Sequence, residues 1–238
     1  MSTFLTAEWR KLIMAQYTVE IGTLAPYLPA GVGLDLYRNT CVVSLVGFLF
    51  DRVRVKGVAI PFHTRFEEVN LRFYVRRVEP DGTSKRGVVF LREFVPRHAI
   101  TLIARTLYEE PYSTLPMRHS LATQTMDVSY EWKYGGRWQS LAVRASPQPQ
   151  PIAEGSEEEF LTEHYWGYTK RSRGATSQYE VRHPRWLIYP IESYNVKVDF
   201  AALYGPQFAS LGERKPDSVL LAEGSAVSVH AGTRLISG

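Results

Sequence analysis

The stretch FEEVNLRFYVRRVEPDGTSKRGVVFLREFVPRHAITLIARTL, Phe66 to Leu107, decides how the rest of the chain is read. In its first part Val69, Leu71, Phe73 and Val75 alternate with Glu68, Asn70, Arg72, Tyr74 and Arg76. A period of two is the signature of a β-strand, because successive side chains point to opposite faces. Glu79-Pro80-Asp81-Gly82-Thr83-Ser84 carries turn chemistry, and Arg86 to Val95 returns as a second strand, so a hairpin is expected. Pro96 suits a first helical position, and Ile100, Ile103, Ala104 and Leu107 form an apolar stripe at helical spacing. The polar face of the first strand has two readings, an outward solvated face or the wall of a buried site. The second strand alternates less cleanly. Val88, Phe90, Arg92 and Phe94 oppose Val89, Leu91, Glu93 and Val95, so each face carries one charge. In a closed sheet Arg92 or Glu93 must then point inward, where a charge persists only if compensated.

Outward from this segment the chain is mostly strand. Arg10 to Val19 reads as a first strand and Glu20 to Leu28 as a short helix stopped by Pro29 and Gly31. Thr40 to Phe50 is a nearly uncharged run, the pattern of a central strand buried on both faces, and Asp51 to Phe62 reads as a connection. Met126 to Tyr134 and Arg137 to Ala145 flank Gly135-Gly136, which favours a tight hairpin. After Pro147, Pro149 and Pro151, Ser156-Glu157-Glu158-Glu159 offers a capping box for a helix to about Tyr165. Strands at Gln178 to Arg182, Tyr194 to Phe200 and Val219 to Val229 are read as completing the same sheet. The proline stretch is short for a linker. The expectation is one β-rich α+β domain over residues 1–238, with a curled mixed or antiparallel sheet closing toward a barrel and a few short helices.

Composition excludes several classes. A chain of 238 residues with 45% hydrophobic and 13% aromatic content has enough apolar surface for a core, so disorder is set aside. The net charge is +4, but its 28 cations are interspersed among 24 acids, which argues against a nucleic-acid face. Arginine outnumbers lysine 21 to 7. Arginine stays charged when desolvated and grips carboxylates with a planar fork, so the bias points to internal ion pairs or an anionic ligand. No run reaches the ~20 apolar residues of a membrane span. Glu8, Arg10 and Lys11 interrupt any leader-like segment, and a cytoplasmic location is expected. The lone Cys41, within an apolar run, reads as a small buried hydrophobe.

Chemistry-bearing motifs are sparse. Phosphate-loop, dinucleotide and Gly-x-Ser-x-Gly patterns are missing, and the histidines show no zinc-ligand spacing, so neither a metal nor a cofactor is implied. Glu223-Gly224-Ser225-Ala226 reads as a strand irregularity. His164, in Glu163-His164-Tyr165-Trp166-Gly167-Tyr168, is either part of a ligand-facing cluster or a core histidine bonded to a backbone carbonyl, and the core role is favoured. Arg97 and His98 stand at a helix start, where cations are disfavoured unless a carboxylate or bound anion compensates them.

Six stretches carry a family resemblance: Leu24-Ala25-Pro26-Tyr27-Leu28-Pro29-Ala30-Gly31, Val43-Ser44-Leu45-Val46-Gly47-Phe48, Phe66-Glu67-Glu68-Val69-Asn70-Leu71-Arg72, Gly87-Val88-Val89-Phe90-Leu91-Arg92-Glu93, His164-Tyr165-Trp166-Gly167-Tyr168 and Leu221-Ala222-Glu223-Gly224-Ser225. Together they resemble the uncharacterised YqjF-like proteins, which are more distantly similar to acetoacetate decarboxylase. The resemblance implies a closed, curled sheet around a pocket. The decarboxylase relationship would imply Schiff-base chemistry on a lysine that follows a proline at a strand end. The similar place here is Pro96-Arg97-His98, and neither guanidinium nor imidazole can replace the amine. The nearest lysine, Lys85, is expected at an exposed hairpin tip. The resemblance also implies that Glu68 is the acid of the pocket strand. The expected site is therefore Glu68, Arg72, Arg92, Arg97 and His98 around a small carboxylate- or carbonyl-containing molecule, with Glu68 and His98 as the acid–base candidates. An enzyme of unassigned reaction and a structural or interaction protein are the alternatives. Sheet edges leave a homo-oligomer open.

Overall fold

A computed structural model of the protein describes residues 2–96, 111–171 and 174–235. Its strands are β1 (Thr3–Thr18), β2 (Gly33–Leu34), β3 (Val42–Val55), β4 (Phe66–Val78), β5 (Ser84–Val95), β6 (Tyr112–Thr114), β7 (Met117–Ala122) and β8 (Asp127–Tyr134). They continue as β9 (Arg137–Ala145), β10 (Gln150–Pro151), β11 (Trp166–Lys170), β12 (Thr176–Arg182), β13 (Leu187–Tyr189), β14 (Ile191–Lys197), β15 (Ser218–His230) and β16 (Thr233–Leu235). The helices are short, at Ile21–Leu24, Glu157–Thr162 and Phe200–Tyr204.

The larger sheet runs β10-β13-β15-β1-β3-β4-β5-β11-β12-β16, with β2 on β4 and β6 on β5. It also closes on itself, because β12 pairs back onto β15 through Val181↔Val229 and Arg182↔Ser228. A second sheet, β14-β9-β8-β7, packs against the outside of this ring. The last strands are thus divided, contrary to the single-sheet expectation. β14 pairs with β9, which puts it in the second sheet, and Phe200 opens a helix where the strand was expected to continue.

This arrangement covers both faces of β3 and β4. The odd residues Val69, Leu71, Phe73 and Val75 join Tyr130, Trp132, Leu141 and Val143 of the second sheet in one core. Residues facing the ring interior, among them Phe48, Phe50, Phe66, Tyr74 and Val88, form the other. The two-sided burial expected of the Thr40–Phe50 run is present from Cys41 through Phe50, and the strand continues to Val55 where a connection was expected. β1 likewise starts earlier, at Thr3.

Local rules account for most of the elements. The hairpin β4–β5 holds from Arg76↔Arg86 to Val78↔Ser84 around the expected turn, and β8–β9 turns at Gly135 and Gly136, with φ of 54° and 80°. Ser156 Oγ accepts from Glu159 N at 3.1 Å, which caps the Glu157–Thr162 helix. The helix stops at Thr162, short of the expected Tyr165, because Glu163–Tyr165 turn away to bury His164 and deliver Trp166 to β11. At Gly224 (φ 79°) a Cβ would lie 2.0 Å from the Trp9 carbonyl, which gives the expected strand irregularity its cause. Cys41 is buried, and burial pushes its thiol up to about 11. No helix among the described residues is long and apolar enough to cross a membrane. The segment expected to be helical from Pro96 to Leu107 lies, from Arg97 on, outside the described residues.

Candidate functional site

Inside the ring is a cavity of about 130 Å³ with a mainly aromatic wall that includes Trp9, Phe48, Phe50, Phe66, Phe90 and Trp166. Its polar groups come chiefly from two neighbouring strands and the segment leading into β11: Glu68, Asn70, Arg72, Glu93 and His164. β4 supplies three of them because its even positions face inward. Phe48↔Glu68, Val46↔Asn70 and Ser44↔Arg72 set the register against β3. Asn70 stands opposite Glu93 on β5.

Glu93 reaches this face through a bulge. The β4–β5 register runs Leu71↔Arg92 and then Arg72↔Phe90, so Leu91 is the extra residue. One inserted residue exchanges the two faces of a strand beyond it. Val88 and Phe90 line the cavity before the bulge, and Glu93 does so after it. Arg92 is turned to the opposite face, where Nη1 donates to Leu203 O at 3.0 Å and Nε lies 3.4 Å from Ser113 Oγ. Of the expected site residues, Glu68 and Arg72 therefore share the cavity wall and Arg92 does not, while Arg97 and His98 lie outside the described residues.

Glu68 is 3% exposed. Its Oε1 accepts from Asn70 Nδ2 and its Oε2 from Tyr112 OH, both at 2.9 Å. Burial raises its carboxyl to about 7, against the opposing pull of those two hydrogen bonds and of the Arg72 charge. Arg72 is 8% exposed, yet its guanidinium has no carboxylate in ion-pair contact among the described residues. Nη2 makes only long contacts, 3.5 Å to Leu161 O and 3.9 Å to Met14 Sδ, and Nε has no hydrogen-bond partner. A buried guanidinium so loosely held is costly without a further partner.

His164 closes the same side of the cavity. Its Nε2 donates to Asp35 Oδ2 at 3.1 Å, and that oxygen also accepts from Arg86 Nε at 2.7 Å. Burial lowers the imidazole to about 4, helped by the charges of Arg86 and Arg72 and opposed by Asp35. Asp35 is itself kept below the usual carboxylate range: burial works against this, but the hydrogen bonds from His164 and Arg86 outweigh it. The ring packs against Tyr74 and Phe160 at centroid separations of 4.8 and 5.1 Å. The expected backbone-carbonyl partner of His164 is thus replaced by a carboxylate. Asp35 is not among the expected site residues, although an acid between Leu34 and Leu36, in an otherwise apolar run, is the sequence signal of a buried partner.

All seven lysines fall among the described residues, and none borders this cavity. Lys85 is not at an exposed tip. It pairs with Glu79 at 2.7 Å, and its Nζ lies over the Trp166 ring, 4.5 Å from the ring centre. The most enclosed lysine side chain in an ion pair, Lys11, is held by Glu223 and by Tyr189 OH. Among the described residues no three His, Cys, Asp or Glu side chains gather as a metal site.

Known proteins share this fold. The model of a family described as an uncharacterised conserved protein, DUF2071, matches residues 6–226. No curated protein matches the chain in sequence. Among solved structures, the chain resembles acetoacetate decarboxylase from Legionella pneumophila (TM-score 0.69, 13% identity, covering 99% of this chain and 90% of that one). It also resembles the enduracididine biosynthesis enzyme MppR in complex with pyruvate (0.67, 11%, 99% and 92%). A third is an acetoacetate decarboxylase-like enzyme from Sphingomonas wittichii RW1 (0.66, 12%, 100% and 95%). At these identities the likeness is one of fold.

Proposed function

This chain belongs to the DUF2071 family, and we propose that its ring cavity binds a small carboxylate- or carbonyl-containing molecule without lysine Schiff-base chemistry. The observation that carries this reading is Arg72: a buried guanidinium bordering an aromatic cavity, with no carboxylate of the chain in ion-pair contact among the described residues. A ligand carboxylate would satisfy it with charge-assisted hydrogen bonds, and the aromatic wall would take the apolar remainder. The volume suits a small molecule, since an engineered cavity of about 150 Å³ admits benzene. That the similar MppR structure holds pyruvate is consistent with a ligand of this size in the same fold. The lysines support the second half of the proposal, because none is placed to attack a bound carbonyl.

Titration calorimetry with pyruvate and acetoacetate tests it directly. Arg72→Met should weaken binding by at least about 30-fold, the low end for truncating one partner of a buried charge pair. Borohydride added with either acid should leave no adduct by mass spectrometry. Unchanged affinity in the variant, or a reduced adduct on any lysine, overturns the reading.

An acid–base enzyme is the second reading, and Glu68 is the observation that favours it. A carboxyl raised to about 7 can both give and take a proton near neutral pH. His98 is its expected partner. Deuterium incorporation at the carbon next to the keto group, catalysed by the wild type and lost in Glu68→Gln, would establish this reading over simple binding.

A further inference from the structure

We propose that the cavity selects a hydroxy acid over the keto acid of the same carbon skeleton, the ligand carboxylate meeting Arg72 and the ligand hydroxyl donating its hydrogen to His164 Nδ1. This rests on the reading of Arg72 as a carboxylate site and adds to it the identity of a second polar contact.

Buried hydrogen-bonding atoms at the cavity wall, on Asn70, Arg72 and His164, are left without partners among the described residues. Asp35 accepts from Arg86 Nε and from His164 Nε2, so the imidazole hydrogen is committed to Nε2. A neutral imidazole then presents Nδ1 as a bare acceptor. That atom is buried and has no hydrogen-bond partner. The same is true of Asn70 Oδ1, whose Nδ2 is spent on Glu68. Arg72 Nε is the complementary case, a buried donor without an acceptor. Each such group destabilises the fold if it stays unmet. Arg72 and His164 both lie against Tyr74, the guanidinium carbon 5.8 Å and the imidazole 4.8 Å from its ring centre, so one small molecule can span them.

A keto acid carries acceptors only. It can satisfy Arg72, but its carbonyl oxygen would face the His164 lone pair. A hydroxy acid brings the same carboxylate and one donor hydrogen. An amino acid also brings donors, but its ammonium group would sit beside Arg72 and Arg86, whose charges already act on the His164 ring. A site that hydrogen-bonds a ligand hydroxyl rejects the analogue lacking it, because its own polar group is left unpaired.

Two matched pairs test the selection, lactate against pyruvate and 3-hydroxybutyrate against acetoacetate, by calorimetry on the full chain. In at least one pair the hydroxy acid should bind ten-fold or more tightly than its keto partner. His164→Phe, which keeps a ring and removes the acceptor, should erase that advantage, so that each hydroxy acid and its keto partner bind within two-fold of one another. Nitrogen-15 correlation spectra of the wild type give a readout that needs no variant: Nδ1 should show the shift of a bare ring nitrogen and move on adding the hydroxy acid. Equal binding within both pairs, preference for the keto acid, tighter binding of alanine than of lactate, or a hydrogen found on Nδ1 overturns the proposal and leaves the Arg72 reading standing. No binding by any of the four acids overturns both.

Discussion

At the scale of single residues, β4 places the Glu68 carboxyl and the Arg72 guanidinium on the same inward face, four positions apart with Asn70 midway between them. Isolated in a low-dielectric interior, each would be expensive, and Glu68 responds by holding its proton to about pH 7. The consequence for stability has a definite sign. The unfolded chain loses the Glu68 proton near the ordinary value of 4.5, whereas the folded chain keeps it to about 7. Between those values the native state binds more protons, so this group lowers stability as pH rises through that window, and the loss persists above it. Glu68→Gln removes the effect. Its unfolding midpoint relative to wild type should therefore rise by several degrees between pH 5 and pH 8, given about 2–4 °C per kcal/mol at this chain length. A pH-independent difference would mean that the carboxyl ionises normally. A lone charge between apolar neighbours is visible in the sequence at Arg72 and Asp35, whereas Glu68 follows Glu67 and stands out only by its place in the alternation. Which acids and bases meet is not visible there, because Asp35 is carried to the site by the pairing of β2 with β4 and His164 by the pairing of β11 with β5.

At the scale of elements, alternation predicted the strands and the bulge decided what they present. Arg92 and Glu93 are adjacent, and a regular β5 would have put Arg92 with Val88 and Phe90. The extra residue at Leu91 reverses that assignment. Nothing in the composition of Val89 to Phe94 marks Leu91 as the bulged residue, since bulges answer to the curvature of the closed sheet. The crossing of β5 by β11 is similarly tight. Trp166 pairs with Gly87 in parallel, and a Cβ on Gly87 would lie 2.4 Å from the Trp166 carbonyl oxygen and 2.7 Å from the Tyr168 ring. Gly87→Ala should cost about 1–3 kcal/mol, as overpacking does. Gly22→Ala, where nothing lies within 4 Å, is the matched control and should be close to neutral. Thermal unfolding of both variants measures the difference, and equal midpoints would refute the tight crossing.

At the scale of the molecule, the ring and the four-stranded sheet share β3 and β4 as a common wall, with a core on each side. Strands covered on both faces should open only with global unfolding, whereas β7 and β14, at the edges of the smaller sheet, should open locally. Hydrogen exchange followed by mass spectrometry should find the slowest amides in β3 and β4 and much faster exchange in β7 and β14. Comparable protection throughout would contradict the shared-wall description. The sequence by itself determined most of the strands, the two glycine and proline turns of the hairpins, the helix cap at Ser156 and the alternation that gives β4 a polar face, because each follows from side-chain period or from turn and cap chemistry within a few residues. Only the tertiary structure decided that the face is covered, that Glu93 replaces Arg92 on it, and that Asp35 reaches His164. Those outcomes depend on strand register and on the pairings of β2 with β4, β11 with β5 and β12 with β15, which are set by contacts between residues far apart in the chain.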